Sequence, residues 1–308
     1  MRITLKTILV LILTGVLTFS LFGCKDKTSS TSTSAEVAEE EVLGKLMVSI
    51  TDKDKKSPIS DAKIYIVGIE NIYNTDASGR SPEISIKINK DMYKKYGGDL
   101  WQKAPSGSIA LLVSKEGYKD YLVFNKAIYP GYAANTLKIQ LSKTDKNSKS
   151  KFDVVVNNPH DVWVEELVAY CKTIQENKEG IGDCTASITI NDSKSKAIEG
   201  ATVVVPELGL KGITDKSGKI SLKLNSDKDV YDIYPVKKDY MEYTVVAMKD
   251  GYVSGILFNA KVYKDKENNI NIALTSAKAE DKASFEVVNQ APDDTWIKLL
   301  IDNYVKDI

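Results

Sequence analysis

The chain has 308 residues, 42 of them basic and 42 acidic, so its formal net charge is zero. That balance leaves no basic excess for gripping phosphate backbones, and nucleic acid is excluded as an expected partner. The length fits two ordinary domains, and 43% hydrophobic content is enough for each to bury a core.

The chain begins like an export signal. Arg2 and Lys6 form a positive start, and Thr7 to Phe22 is an uncharged, mostly apolar run. That run is short of the ~20 apolar residues a membrane-spanning helix needs. Leu21-Phe22-Gly23-Cys24 resembles the bacterial lipobox, although Phe22 stands where a small residue is usual. The resemblance implies lipidation of Cys24 as the first residue of the mature protein. An uncleaved anchor and an incidental cysteine are the alternatives. Residues 1–23 are expected to be a lipoprotein signal peptide. Residues 24–42, rich in Ser, Thr, Lys and then Glu, are too polar to bury and are expected to be a flexible tether. The expected location is the extracytoplasmic side of a cell membrane, held by the lipid.

The remainder is one module written twice. Ile59-x-x-Ala62 matches Ile198-x-x-Ala201, and Thr75-Asp76-x-x-Gly79 matches Thr214-Asp215-x-x-Gly218. Gly117-Tyr118, Phe124-Asn125 and Phe152-x-Val154-Val155 recur as Gly251-Tyr252, Phe258-Asn259 and Phe285-x-Val287-Val288. Pro159, Asp161 and Trp163 recur as Pro292, Asp294 and Trp296. The matches keep their order over a domain-sized period, which marks duplication. Leu46, Val48 and Ile50 alternate with more polar residues, as do Ile84, Ile86 and Ile88, and the same holds at Ile220, Leu222 and Leu224. Alternation with period two puts one strand face on a core. Seven candidate strands per copy, separated by turn signals, predict a β-sandwich. The Asp-x-Ser-Gly segments read as turns and have too few carboxylates for calcium loops. Each copy ends in an amphipathic helix, Trp163 to Ile174 and Trp296 to Val305, expected to plug one end of its own sandwich. The expected modules are residues 43–174 and 184–308, joined by a linker at 175–183, each able to fold alone.

Pro58-Ile59-x-x-Ala62, Thr75-Asp76-x-x-Gly79 and Gly117-Tyr118, with their counterparts in the second copy, resemble the carboxypeptidase regulatory-like domain. The resemblance covers most of residues 44–142 and 184–275 and implies a transthyretin-like sandwich. It says nothing about a ligand. The fold class is therefore mainly β, with two tandem Ig-like or transthyretin-like sandwiches, each closed by a C-terminal helix. In that family the connection after Thr-Asp-x-x-Gly and its strand is short. Here it is long in both copies and carries Tyr93, Tyr96 and Trp101 in the first, and Tyr231, Tyr234 and Tyr240 in the second. Long loops inside a compact domain are often functional, and clustered aromatics serve binding as well as packing. These six residues are the candidate binding loops. Tyr93 and Tyr231 lean toward packing, and Tyr96 and Tyr234 toward exposure.

Cys171 and Cys184 lie between the modules and read equally as a disulfide of an exported protein or as two buried thiols. His160 is the single histidine and has no counterpart in the second copy. No catalytic constellation, phosphate loop or metal-ligand set is evident. No enzyme activity and no cofactor are expected. The function expected is non-catalytic binding of a glycan, a cell-wall component or a protein. The alternative is a structural or accessory role, as a spacer or docked on a membrane complex.

Overall fold

The computed structural model describes residues 42–131, 135–145, 150–177, 180, 182–225, 233–277 and 284–305. Cys24 and Tyr231 lie outside the described residues. The first copy runs β1 (Leu43–Asp52), β2 (Lys63–Ile66), β3 (Tyr73–Asn74), β4 (Ile84–Lys87), α1 (Asp91–Lys94), α2 (Leu100–Lys103), β5 (Gly107–Ser114), β6 (Asp120–Ile128), β7 (Asn135–Leu141), β8 (Phe152–Val156) and α3 (Asp161–Thr173). The second runs β9 (Cys184–Asp192), β10 (Thr202–Val205), β11 (Leu210–Ile213), β12 (Lys219–Leu224), β13 (Met241–Met248), β14 (Ser254–Val262), β15 (Asn268–Leu274), β16 (Phe285–Asn289) and α4 (Asp294–Val305), with a 3₁₀ turn at Pro206–Leu208.

Each copy is a sandwich of a three-stranded and a five-stranded sheet. The orders are β4-β1-β7 and β3-β2-β5-β6-β8 in the first copy, and β12-β9-β15 and β11-β10-β13-β14-β16 in the second. The described residues give eight strands per copy where seven were expected. The terminal Phe segment, which the family resemblance leaves outside the sandwich, pairs in parallel as an edge strand, β8 on β6 and β16 on β14. Alternating residues of both sheets meet in the cores, Leu46, Val48, Ile50 and Ile84 in the first copy, and Ile188, Ile190, Val203 and Leu222 in the second.

The repeated motifs are turn chemistry. Asp76 Oδ1 accepts the backbone N–H groups of Ser78 and Arg80 and the Ser78 hydroxyl. Asp215 does the same with Ser217 and Lys219. These bonds hold both carboxyls below the usual carboxylate range. Gly79 and Gly218 sit at φ +73° and +72°, where an added Cβ would come within 2.5 Å of the Ile50 and Ile190 carbonyls. The buried threonine of the motif clasps the preceding loop. Thr75 donates to the Ile59 carbonyl at 2.7 Å and accepts from Ala62 N–H at 2.9 Å, and Thr214 repeats this with Ile198 and Ala201 at the same distances.

Both helices form where the sequence places them, but neither plugs its own sandwich. The apolar face of α3, Trp163, Val164, Leu167 and Cys171, packs with Val204, Val246, Ile256 and Phe258 of the second copy. The apolar face of α4, Trp296, Ile297, Leu300 and Ile301, packs with Tyr65, Leu112, Leu122 and Phe124 of the first. Each copy thus covers the outer face of the other copy's five-stranded sheet. Such a face left open would be a contiguous apolar patch, and a second copy of related shape is what closes it. This reciprocal exchange replaces the expected end-plug. Both copies fall within one unit, residues 41–308.

Candidate functional site

The tyrosine loops follow the helices into the exchange. Trp163 is fully buried. Its ring lies 4.8 Å from Tyr93 and 5.0 Å from Tyr96, both of its own copy, and 6.3 Å from Phe258 of the other. Trp296 repeats the arrangement, 5.0 Å from Tyr234 of its own copy and 6.0 Å from Phe124 of the other. The Trp163 indole N–H donates to the Leu100 carbonyl at 3.0 Å, and that of Trp296 to the Val236 carbonyl at 2.9 Å. Each long loop is therefore a bracket for the terminal Trp of its own copy. Tilted and edge-on pairs at these distances suit the aromatic quadrupole.

Tyr96 is 3% exposed, which corrects the expectation that it faces solvent. Burial lifts the Tyr93 hydroxyl to a pKa of about 12 and raises that of Tyr96 as well. Tyr234 is half-buried, with Lys238 Nζ 5.0 Å over its ring. Tyr240 is buried, its ring 5.4 Å from Tyr263 and its hydroxyl accepting from Asp293 N–H at 3.1 Å. Asp293 in turn is bonded by Lys261 and Tyr263, a cluster that fixes the start of α4. Trp101 alone among the described loop candidates stays at the surface, 36% exposed with Lys94 5.5 Å over its ring. Cys171 and Cys184 are not bonded to each other. Cys171 is on the buried face of α3, where burial raises its thiol to about 12, and Cys184 opens β9 in the core of the second copy.

One half of the exchange carries a polar network that sequence reasoning missed. Tyr96 Oη and Thr244 Oγ1 lie 2.9 Å apart. Thr244 N–H donates to Glu207 Oε1 at 2.8 Å, and Lys95 Nζ stands 3.8 Å from the same oxygen. Burial pushes the Glu207 carboxyl above the usual range, outweighing Lys95, which pulls the other way.

Between the two brackets lies a cavity of about 440 Å³ lined by Phe124, Asn125, Tyr234, Lys238, Glu242 and Asn259, among others. Its size falls in the range of small-ligand sites, ~300–1,000 Å³. Asn125 and Asn259 are equivalent positions, so both copies contribute. They sit at φ +57° and +59°, each where the β5–β6 or β13–β14 register shifts. Such bulges re-aim side chains, and left-handed residues recur at functional sites. Glu242 Oε2 accepts from Lys238 at 2.7 Å, while the buried Oε1 has no hydrogen-bond partner. An orphaned buried acceptor beside a cavity is a place for a donor from a ligand. The signal for this site was in the sequence as the repeated Phe-Asn pair.

No family model matches the chain, and no curated protein matches it significantly. Among solved structures, the Bacillus anthracis TIE protein aligns at 14% identity and a TM-score of 0.23, covering 76% of this chain and 34% of that one. The shaft pilin SpaA of Lactobacillus rhamnosus GG aligns at 10% identity and 0.20, covering 78% and 100%. A cohesin–X-dockerin complex from Acetivibrio cellulolyticus aligns at 24% and 0.21, covering 29% and 56%. The chain spans about a third of the TIE protein it matches. Likenesses of this strength carry no functional argument. Among the described residues no helix is long and apolar enough to cross a membrane.

Proposed function

We propose that this chain is a non-catalytic binding lipoprotein. It is anchored through Cys24 to the extracytoplasmic side of a membrane and set off from the lipid by the tether at residues 24–42. The carboxypeptidase regulatory-like modules act as one clasped head, and the ligand seat is the cavity between them, not the surfaces of the tyrosine loops. The observation that carries this reading is the pair of left-handed asparagines, Asn125 and Asn259, meeting at one cavity beside the orphaned Glu242 oxygen. Amides and a carboxyl among apolar rings suit a compact, hydroxyl-rich ligand such as a short glycan of the cell wall, because such groups form paired hydrogen bonds while the rings exclude water.

The test is binding of the folded chain to wall glycan fragments, with Asn125→Gly/Asn259→Gly alongside, since glycine removes the amides and keeps the left-handed backbone. The proposal expects a loss of affinity of tenfold or more, on the order of two hydrogen bonds, with the melting temperature little changed. Unchanged binding would leave the spacer role as the reading. A Cys24→Ala variant is expected to leave the membrane fraction or stall as a precursor, since two or more acyl chains on that cysteine would carry the attachment.

A further inference from the structure

The second copy's bracket holds an ammonium where the first holds a methyl group. Lys238 Nζ lies 4.8 Å over the Trp296 ring and 5.0 Å over that of Tyr234, and it donates to Glu242 Oε2 at 2.7 Å. The Lys238 and Glu242 side chains are 12% and 14% exposed. Gly107 pairs with Ile128 as Met241 pairs with Val262, so Ala104 and Ser108 stand where the second copy has Lys238 and Glu242. Ala104 is buried in the cluster around Trp163. The first copy's own lysine, Lys95, lies over Tyr96 from the other end of the loop. Alanine thus suffices to close a bracket on its tryptophan. A buried ion pair adds little stability at a place that apolar packing can fill, so Lys238 and Glu242 call for another role.

Two ring faces and a carboxylate around one ammonium are the parts of a cation-binding cage. The cage opens on the cavity, which Tyr234, Lys238 and Glu242 all line. Glu242 Oε1 is buried there without a hydrogen-bond partner, so the carboxylate has unused capacity for a donor. We propose, on the reading of that cavity as the ligand seat, that the cage binds a primary ammonium of the ligand and that Lys238 is a tethered stand-in which the ligand displaces. The glycan is then one with free amino groups, an amino sugar without its N-acetyl. Lys95, Lys237 and Lys264 also line the cavity, so an added cation would be repelled. Exchange of one ammonium for another leaves the charge unchanged. Lys238 can leave, because Lys237 and Asp239 on either side are exposed and a lysine stem is long and flexible. An acetylated nitrogen is neutral, so it loses the attraction of the rings and most of that of the carboxylate.

The test is calorimetric binding of glucosamine oligomers and of their N-acetylated counterparts to the folded full chain. The free-amine oligomers should bind tighter by about tenfold or more. Lys238→Met removes the tethered competitor but keeps its stem, and should raise affinity for the free amine by about tenfold again. Lys238→Met/Glu242→Gln should erase the preference. Equal binding of the two oligomers would overturn the cage while leaving the glycan seat standing, and so would a Lys238→Met variant that binds the free amine more weakly. If Lys238→Met fails to fold, Glu242→Gln alone should erase the preference, and a preference kept by that variant would overturn the cage. If neither oligomer binds, the glycan reading fails, and n-butylammonium, a lysine side chain without its backbone, decides the cage by itself. It should bind Lys238→Ala and not Lys238→Ala/Glu242→Gln. Binding to both variants or to neither would overturn the cage.

Discussion

Replacing Trp296 by alanine should weaken the first copy, although the residue belongs to the second. The indole is 3% exposed and packs on Phe124 and Tyr234. An aromatic side chain removes about 150–250 Å² from water, which at about 25 cal/mol per Å² is about 4–6 kcal/mol. Alanine keeps part of that, and the change also orphans the Val236 carbonyl, so the expected loss lies near 4 kcal/mol, within the ~3–5 found for such truncations. Urea unfolding measures the magnitude and hydrogen exchange locates it. Faster exchange is expected in β5 and β6, around Leu112 and Leu122, which form the floor under α4. A loss below about 1 kcal/mol, or faster exchange confined to the second copy's own strands, would refute the exchange.

Tyr93→Ala/Tyr96→Ala should lower stability by several kcal/mol, because both rings bracket Trp163; urea midpoints check this, and an unshifted midpoint would return the rings to the surface. Glu207→Gln should flatten the pH dependence of stability. The carboxyl has a folded-state pKa above its unfolded value, so its contribution is present at acidic pH and is lost as pH rises through the raised value. The variant should therefore gain on the wild type between pH 5 and pH 8 in urea titrations run at both ends, and parallel profiles would contradict the burial of that carboxyl. Trp101→Ala, at the exposed end of its loop, should change the melting temperature little, and a drop comparable to that of Trp296→Ala would mean the loop is more deeply packed than it is here.

The sandwich was legible because its strands alternate and its turns carry Asp, Ser and Gly in fixed order. The duplication was legible from ordered matches, and both helices from their apolar stripes. What the stripes do not say is which sheet they meet, since a 3.6-residue period records that a face is covered and not by what. A clue lay in the central strands. Ile109-Ala110-Leu111-Leu112-Val113 and Tyr243-Thr244-Val245-Val246-Ala247 are continuous runs with little polar content, buried throughout. Such runs mark strands covered on both faces, so each five-stranded sheet needed a cover on its outside. Tyr96 was misplaced for the same reason: its loop has the composition of a surface segment, and only a second copy buries it. Asn125 and Asn259 were visible as a repeated pair, but their left-handed backbone and shared cavity arise only once the copies meet.

The account stands on the copies completing each other, and the fragment spanning residues 182–308 tests this most directly. By itself it leaves uncovered the outer face of its five-stranded sheet, with Val204, Val246, Ile256 and Phe258, and the inner face of α4. Thermal unfolding of this fragment should be broad or strongly concentration-dependent, and should sharpen when the first copy, residues 42–177, is added. A concentration-independent cooperative transition at the temperature of the intact chain, indifferent to the first copy, would contradict it.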